Sequence, residues 1–138
     1  MQKSGKVGLI SPSFTANPYH AHMVQRPGGQ CALAVYVDGI APLISLECVR
    51  EIGGLDFGEN IYGYGVDIWL SYRATQAGFG VYVDHSLLFR HHYHTEALKK
   101  DGFMAVAAKA EDSYMSERLG NDWRDKILSF QQESLGAL

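Results

Sequence analysis

The sequence predicts an α/β protein built on a mixed sheet with flanking helices. Three observations predict it. Short apolar stretches at residues 6–10, 31–37, 79–84 and 87–92 read as strands, and segments of helical period lie between and after them. Turn signals such as Ser11-Pro12-Ser13, Asp38-Gly39 and Gly53-Gly54 punctuate the pattern. An apolar content of 46% and a charged content of 20% over 138 residues suffice for one domain with its own core, residues 1–138.

Taken in order, residues 6–10 form a short buried strand closed by the Ser-Pro-Ser turn. Residues 11–30 are rich in Pro, Asn, His and Gly without a period, which marks a segment that is functional or partly disordered. Residues 31–37 are apolar and β-branched, and Asp38-Gly39 ends that strand. Ser45 caps a helix in which Leu46, Val49 and Ile52 recur at helical spacing, and Gly53-Gly54 stops it. A second helix spans residues 66–77, with Ile68, Tyr72, Thr75 and Gln76 along one side and Val66, Trp69, Leu70 and Ala74 widening it; Gly78 ends it. Strands follow at 79–84 and 87–92, split at Asp84-His85-Ser86. Two helices close the chain, at 96–118 and 122–133, with Asn121 as the cap of the last.

A formal net charge of −3 without a basic stripe argues against nucleic-acid binding. No run of about 18 apolar residues occurs, so no transmembrane segment is expected. The first ten residues lack the apolar region and cleavage site of a secretory signal, which points to the cytoplasm. Cys31 and Cys48 lack CxxC spacing and read as buried free thiols, with a disulfide as the alternative.

Three constellations could carry chemistry. The first is Asp56, Glu59 and Asp67, which flank a glycine-spaced turn at the start of the second helix. A carboxylate at a helix N-terminus is held ionised and in place, as a base needs, but Asp is also a common cap there. The second is His91-His92-Tyr93-His94 with His20 and His22 upstream. Such residues bind Zn²⁺ or Mn²⁺, although no dedicated spacing is present and solvated or core histidines look the same. The third, Arg26-Pro27-Gly28-Gly29, lacks the strand-loop-helix setting of a phosphate cradle and reads as a flexible turn.

One arrangement of residues resembles a known family. Val37-Asp38-Gly39 is followed by a helix through Val49-Arg50-Glu51-Ile52, then Gly53-Gly54-Leu55-Asp56 and a variable loop. Tyr62-Gly63-Tyr64-Gly65-Val66-Asp67, Arg73, Ala77-Gly78, Val81-Tyr82-Val83-Asp84 and His91 complete it. This order is similar to the acceptor-side, C-terminal half of family 2 glycosyltransferases with the GT-A fold. The resemblance covers residues 5–95 and leaves 96–138 as a helical extension.

The resemblance implies inverting sugar transfer with Asp67 as general base and His91 at a Mn²⁺ or Mg²⁺ and diphosphate site. It makes Asp56, Glu59, Tyr64 and Trp69 the expected substrate-binding residues. Where many members carry Glu-Asp just before this Asp, the present chain has Tyr64-Gly65. The nucleotide-binding half with its Asp-x-Asp motif has no counterpart here, so the resemblance implies a domain that is not catalytic alone. A homo-oligomer or a donor-half partner chain is then expected to cover the open sheet edge, with a nucleotide-sugar or saccharide as ligand. A non-catalytic carbohydrate-binding module and a structural or interaction module are the alternatives.

Overall fold

The computed structural model describes residues 5–93, 96 and 99–136. Its centre is a four-stranded mixed sheet of β1 (Val7–Phe14), β2 (Cys31–Leu33), β3 (Leu43–Ile44) and β4 (Gly80–Phe89), in the order β2-β4-β1-β3. β1 and β4 run parallel, while β2 is antiparallel to β4 and β3 antiparallel to β1. The helices are α1 (Leu46–Glu51), α2 (Val66–Gln76), α3 (Phe103–Leu119) and α4 (Trp123–Gly136). A mixed α/β fold with flanking helices is what the alternating pattern predicts.

Several boundaries differ from expectation, each for a physical reason. β1 does not stop at Ser11-Pro12-Ser13 but runs on to Phe14. Proline is tolerated there because β3 pairs only with Leu9 and Ile10, so at Pro12 that side of β1 has no strand to bond. β4 is continuous where two strands are expected. Pro12 pairs with Asp84 and Ser13 with Leu88, so residues 85–87 have no counterpart on β1 and form a bulge. Asp84 accepts hydrogen bonds from the Ser86 N–H (2.9 Å) and hydroxyl (2.6 Å), so the turn signal is spent inside the strand.

β2 is shorter than 31–37. After one more ladder bond, from Ala34 N–H to the Val81 carbonyl (2.8 Å), the chain leaves the sheet, and Val37 N–H turns to the buried Ser71 hydroxyl of α2 (3.3 Å). β3 carries too few residues to show a period. α3 begins at Phe103 rather than 96, because Gly102 with φ 74° breaks the run; residues 97–98, like His94, lie outside the described residues. α4 starts at Trp123, and Asp122, whose carbonyl accepts from Lys126 N–H (3.1 Å), holds the cap position expected of Asn121. Both cysteines are free, but only Cys48 is buried; Cys31 is exposed on the edge strand, which corrects the expectation of two buried thiols.

Two apolar clusters hold the elements together. Leu9, Phe14, Val81 and Val83 of the sheet pack on Cys48, Leu70 and Ala74 of α1 and α2. Gly8 permits this approach: a Cβ there would come within 2.8 Å of Phe79 Cβ and 3.2 Å of Cys48 Sγ. The second cluster joins Val66 and Ile68 of α2 to Tyr114, Met115, Trp123 and Ile127 of α3 and α4. Met23, fully buried, anchors a 3₁₀ turn at Ala21–Met23, so the segment without a period is locally organised. Among the described residues no helix is long and apolar enough to cross a membrane.

Candidate functional site

The N-terminus of α2 sets the site. Gly65, with φ 83°, takes the cap position, so Asp67 stands in the first turn of the helix rather than capping it. Its two carboxylate oxygens each accept a backbone N–H, from Gly39 (2.8 Å) and from Ile68 (2.8 Å). The turn before it is tied by Asn60, whose side chain accepts from Tyr62 N–H (3.2 Å) and Gly63 N–H (3.1 Å) and donates to the Tyr64 carbonyl (2.7 Å). A side chain that satisfies three backbone groups fixes a loop that has no ladder of its own.

In front of Asp67 lies a cavity of about 530 Å³. The loop 62–65, the segment 38–40, the 3₁₀ approach and helix α3 enclose it. Tyr19, Tyr62, Tyr64 and Tyr93 supply aromatic surface, His20 and His91 supply imidazoles, and Asp38, Asp67 and Glu111 supply carboxyls. Among its described lining residues there is no Lys or Arg. Asn17 organises the near wall: its oxygen accepts from Tyr19 N–H (3.0 Å) and His20 N–H (2.9 Å), and its nitrogen donates to Asp38 (3.1 Å). The His91 and Tyr93 rings meet edge to face at 4.3 Å. A second hollow of about 630 Å³ adjoins through those two residues and is lined also by Thr15, Ala16, Arg90 and His92.

Electrostatics follow from this lining. Burial pushes the Asp67 carboxyl above its ordinary value of 3.8, against the opposing pull of the Gly39 and Ile68 N–H groups. Burial and the facing Asp67 charge do the same to Glu111, above 4.5. Burial pushes the Tyr93 phenol up to about 12, which keeps it a neutral donor. The raised carboxyls stabilise the fold in their neutral forms. That contribution is whole below the ordinary values and is lost as pH rises through the raised folded ones. Glu111→Gln is therefore expected to gain melting temperature on the parent protein as pH goes from about 4 to about 8. A difference between the two melting curves that stays flat or shrinks with pH would contradict the placement of Glu111.

Of the six residues that the resemblance assigns to a site the cavity gathers Asp67, Tyr64 and His91, and it also takes in His20 and Tyr93 of the histidine constellation. Asp56 and Trp69 lie elsewhere. Asp56 takes a two-point ion pair from Arg118 (2.8 and 2.9 Å) and a hydrogen bond from the Trp69 indole (3.1 Å), while the Trp69 ring stacks on Tyr72. Glu59 is exposed on the loop and is not among the lining residues. No group of three or more His, Cys, Asp or Glu placed to hold a metal occurs among the described residues. Asp38, Glu111 and Asn60 are functional candidates that sequence reasoning missed. Asn60-x-x-Gly, a turn former beside a glycine, was the available signal for the last; Glu111 is one of several acidic residues on its helix and carries none.

The molecule thus belongs structurally to the mixed α/β proteins with an acidic, tyrosine-lined cavity at a helix N-terminus. No protein-family model matches the chain, and no solved structure matches it. It is similar to uncharacterized proteins of Mycobacterium bovis and of Mycobacterium tuberculosis strains CDC 1551 and H37Rv. Each is 36% identical over 94 residues, which take in 61% of this chain and 35% of the relative. The chain spans about a third of the length of these curated relatives.

Proposed function

We propose that the chain is the acceptor side of an inverting, GT-A-type sugar-transfer unit. Asp67 takes the proton from an acceptor hydroxyl held in the tyrosine-lined cavity, and the freed oxygen attacks the anomeric carbon as the nucleoside diphosphate departs. The observation that carries this reading is that His91, just past the end of β4, shares one cavity with Tyr64 and Asp67 at the start of α2. A carboxyl with a raised proton affinity, pinned by two N–H groups, suits a general base. Aromatic faces with a few polar groups suit a sugar. The adjoining hollow offers the Arg90 guanidinium and the ring nitrogens of His91 and His92 to a departing diphosphate.

No Asp-x-Asp occurs in the 138 residues, so this reading draws the ligands of a Mn²⁺ or Mg²⁺ ion chiefly from another segment or from a partner chain. A carbohydrate-binding module without transfer is the second reading, favoured by the four tyrosines of the cavity wall.

Thermal melting tests both. Saccharides at about a hundred times their dissociation constant are expected to add roughly 2.7 kcal/mol to the stability of the chain. UDP, GDP and dTDP with Mn²⁺ are expected to do so only when a donor side is supplied. Saccharide shifts with no nucleotide effect even then leave the binding module. The absence of any saccharide shift would sink both readings, and a Mn²⁺-dependent nucleotide shift in this chain alone would place the donor site here.

A further inference from the structure

We propose that Glu111 makes the cavity select its ligand by charge: it prefers a sugar bearing an ammonium group to the neutral sugar and rejects the sugar acid. This deepens the reading above and rests on it. Glu111 comes from α3, and its Cγ lies only 3.2 Å from where a Cβ on Gly65 would stand. The side chain is therefore packed over the first turn of α2, where it faces Asp67 across the cavity.

The other carboxyls of the cavity are already engaged. Asp67 accepts from Gly39 and Ile68, and Asp38 accepts from Asn17. The Glu111 carboxyl makes no hydrogen bond or ion pair among the described residues. Arg124, whose charge favours the ionised Glu111, is bonded to Asp112 at 2.6 Å. A half-buried carboxyl with open acceptor positions, beside two further acids and no lining Lys or Arg, is a ready partner for an ammonium and repels an anion. Ligand binding also relieves the repulsion between Glu111 and Asp67, because a cation between them stabilises both ionised forms.

The test is calorimetric titration of the full chain, just below neutral pH, with matched gluco-, galacto- and manno-configured sets. Each set comprises a neutral hexose, its amino sugar and its uronate. The amino sugar is expected to bind about tenfold tighter than the hexose, and the uronate about tenfold weaker, with both gaps closing to about twofold in Glu111→Gln. Added salt should weaken the amino sugar and strengthen the uronate in the parent protein, a readout that needs no variant. A uronate that binds as well as its hexose, or gaps unchanged in folded Glu111→Gln, overturns the proposal and leaves the acceptor reading standing. Failure of every sugar to bind overturns both.

Discussion

Arg118→Ala is expected to lower the stability of the protein by about 2 to 3 kcal/mol, a large fraction of what a domain of this size has. Arg118 is 13% exposed, donates two bonds to Asp56 and one to the Tyr114 carbonyl (2.9 Å), and sits 3.7 Å over the Tyr114 ring. The Tyr114 hydroxyl in turn donates to the Asp56 carbonyl, so one arginine ties α3 to the loop that leads to the cavity. Asp56 itself is 38% exposed, and solvent screening keeps the figure well below that of a fully buried pair. The Arg118 bonds also hold the Asp56 carboxyl below its ordinary value of 3.8. The stability they confer is present above that value and is lost as pH falls through the lower folded one. Urea unfolding at neutral pH and near pH 3 checks this: the variant should lose less at the lower pH. A loss under about 0.5 kcal/mol at neutral pH would mean that the pair is ornamental. Arg118→Lys should recover only part, since an ammonium does not make the two-point contact.

Asp67→Asn is expected to reduce sugar transfer by about 10² to 10⁴ in any assembly that carries it out, the usual range for a lost general base. Stability should move little, for two opposing reasons. Asparagine has one acceptor oxygen where Asp67 uses two, so either Gly39 or Ile68 loses its partner. Against this, the variant has no charge to bury, and burial is what holds the carboxyl above its ordinary value. The two effects are of opposite sign, and the lost hydrogen bond costs about 1 to 2 kcal/mol. Transfer rate and melting temperature measured on the same preparation separate the roles. Unchanged transfer, or transfer that falls only in step with the folded fraction, would leave Asp67 as a structural residue.

Much of the fold was legible because local signals and tertiary demands agree. Ser45 accepts from Cys48 N–H (3.3 Å) as a helix cap should, and Gly78 ends α2 where it was expected. Reading failed where a turn signal was absorbed without breaking an element, as at Asp84-His85-Ser86, and where pairing partners decide a strand's length, as at residues 34–37. The site divides the same way. Asp67 stands out because a glycine-spaced turn delivers it to a helix start. Asp56 has the same chemistry, yet Arg118, 62 positions along the chain, engages its carboxylate. No local spacing shows that an acid is already paired, or that Glu111, 44 positions beyond Asp67 (111 − 67), faces it.

The ties on the loop before α2 also impose an order in time. Arg73 of α2 holds the carbonyls of Ile52 and Gly54 (3.0 and 2.9 Å), Asn60 knots the middle, and Arg118 holds Asp56. The first two ties are available once residue 73 has left the ribosome; the third waits for residue 118, and the α3 wall of the cavity for residue 111. A nascent chain can therefore place α2 and the loop before it while the α3 wall of the cavity is still absent. The cavity is complete only once α3 has emerged, well after the helix that carries Asp67.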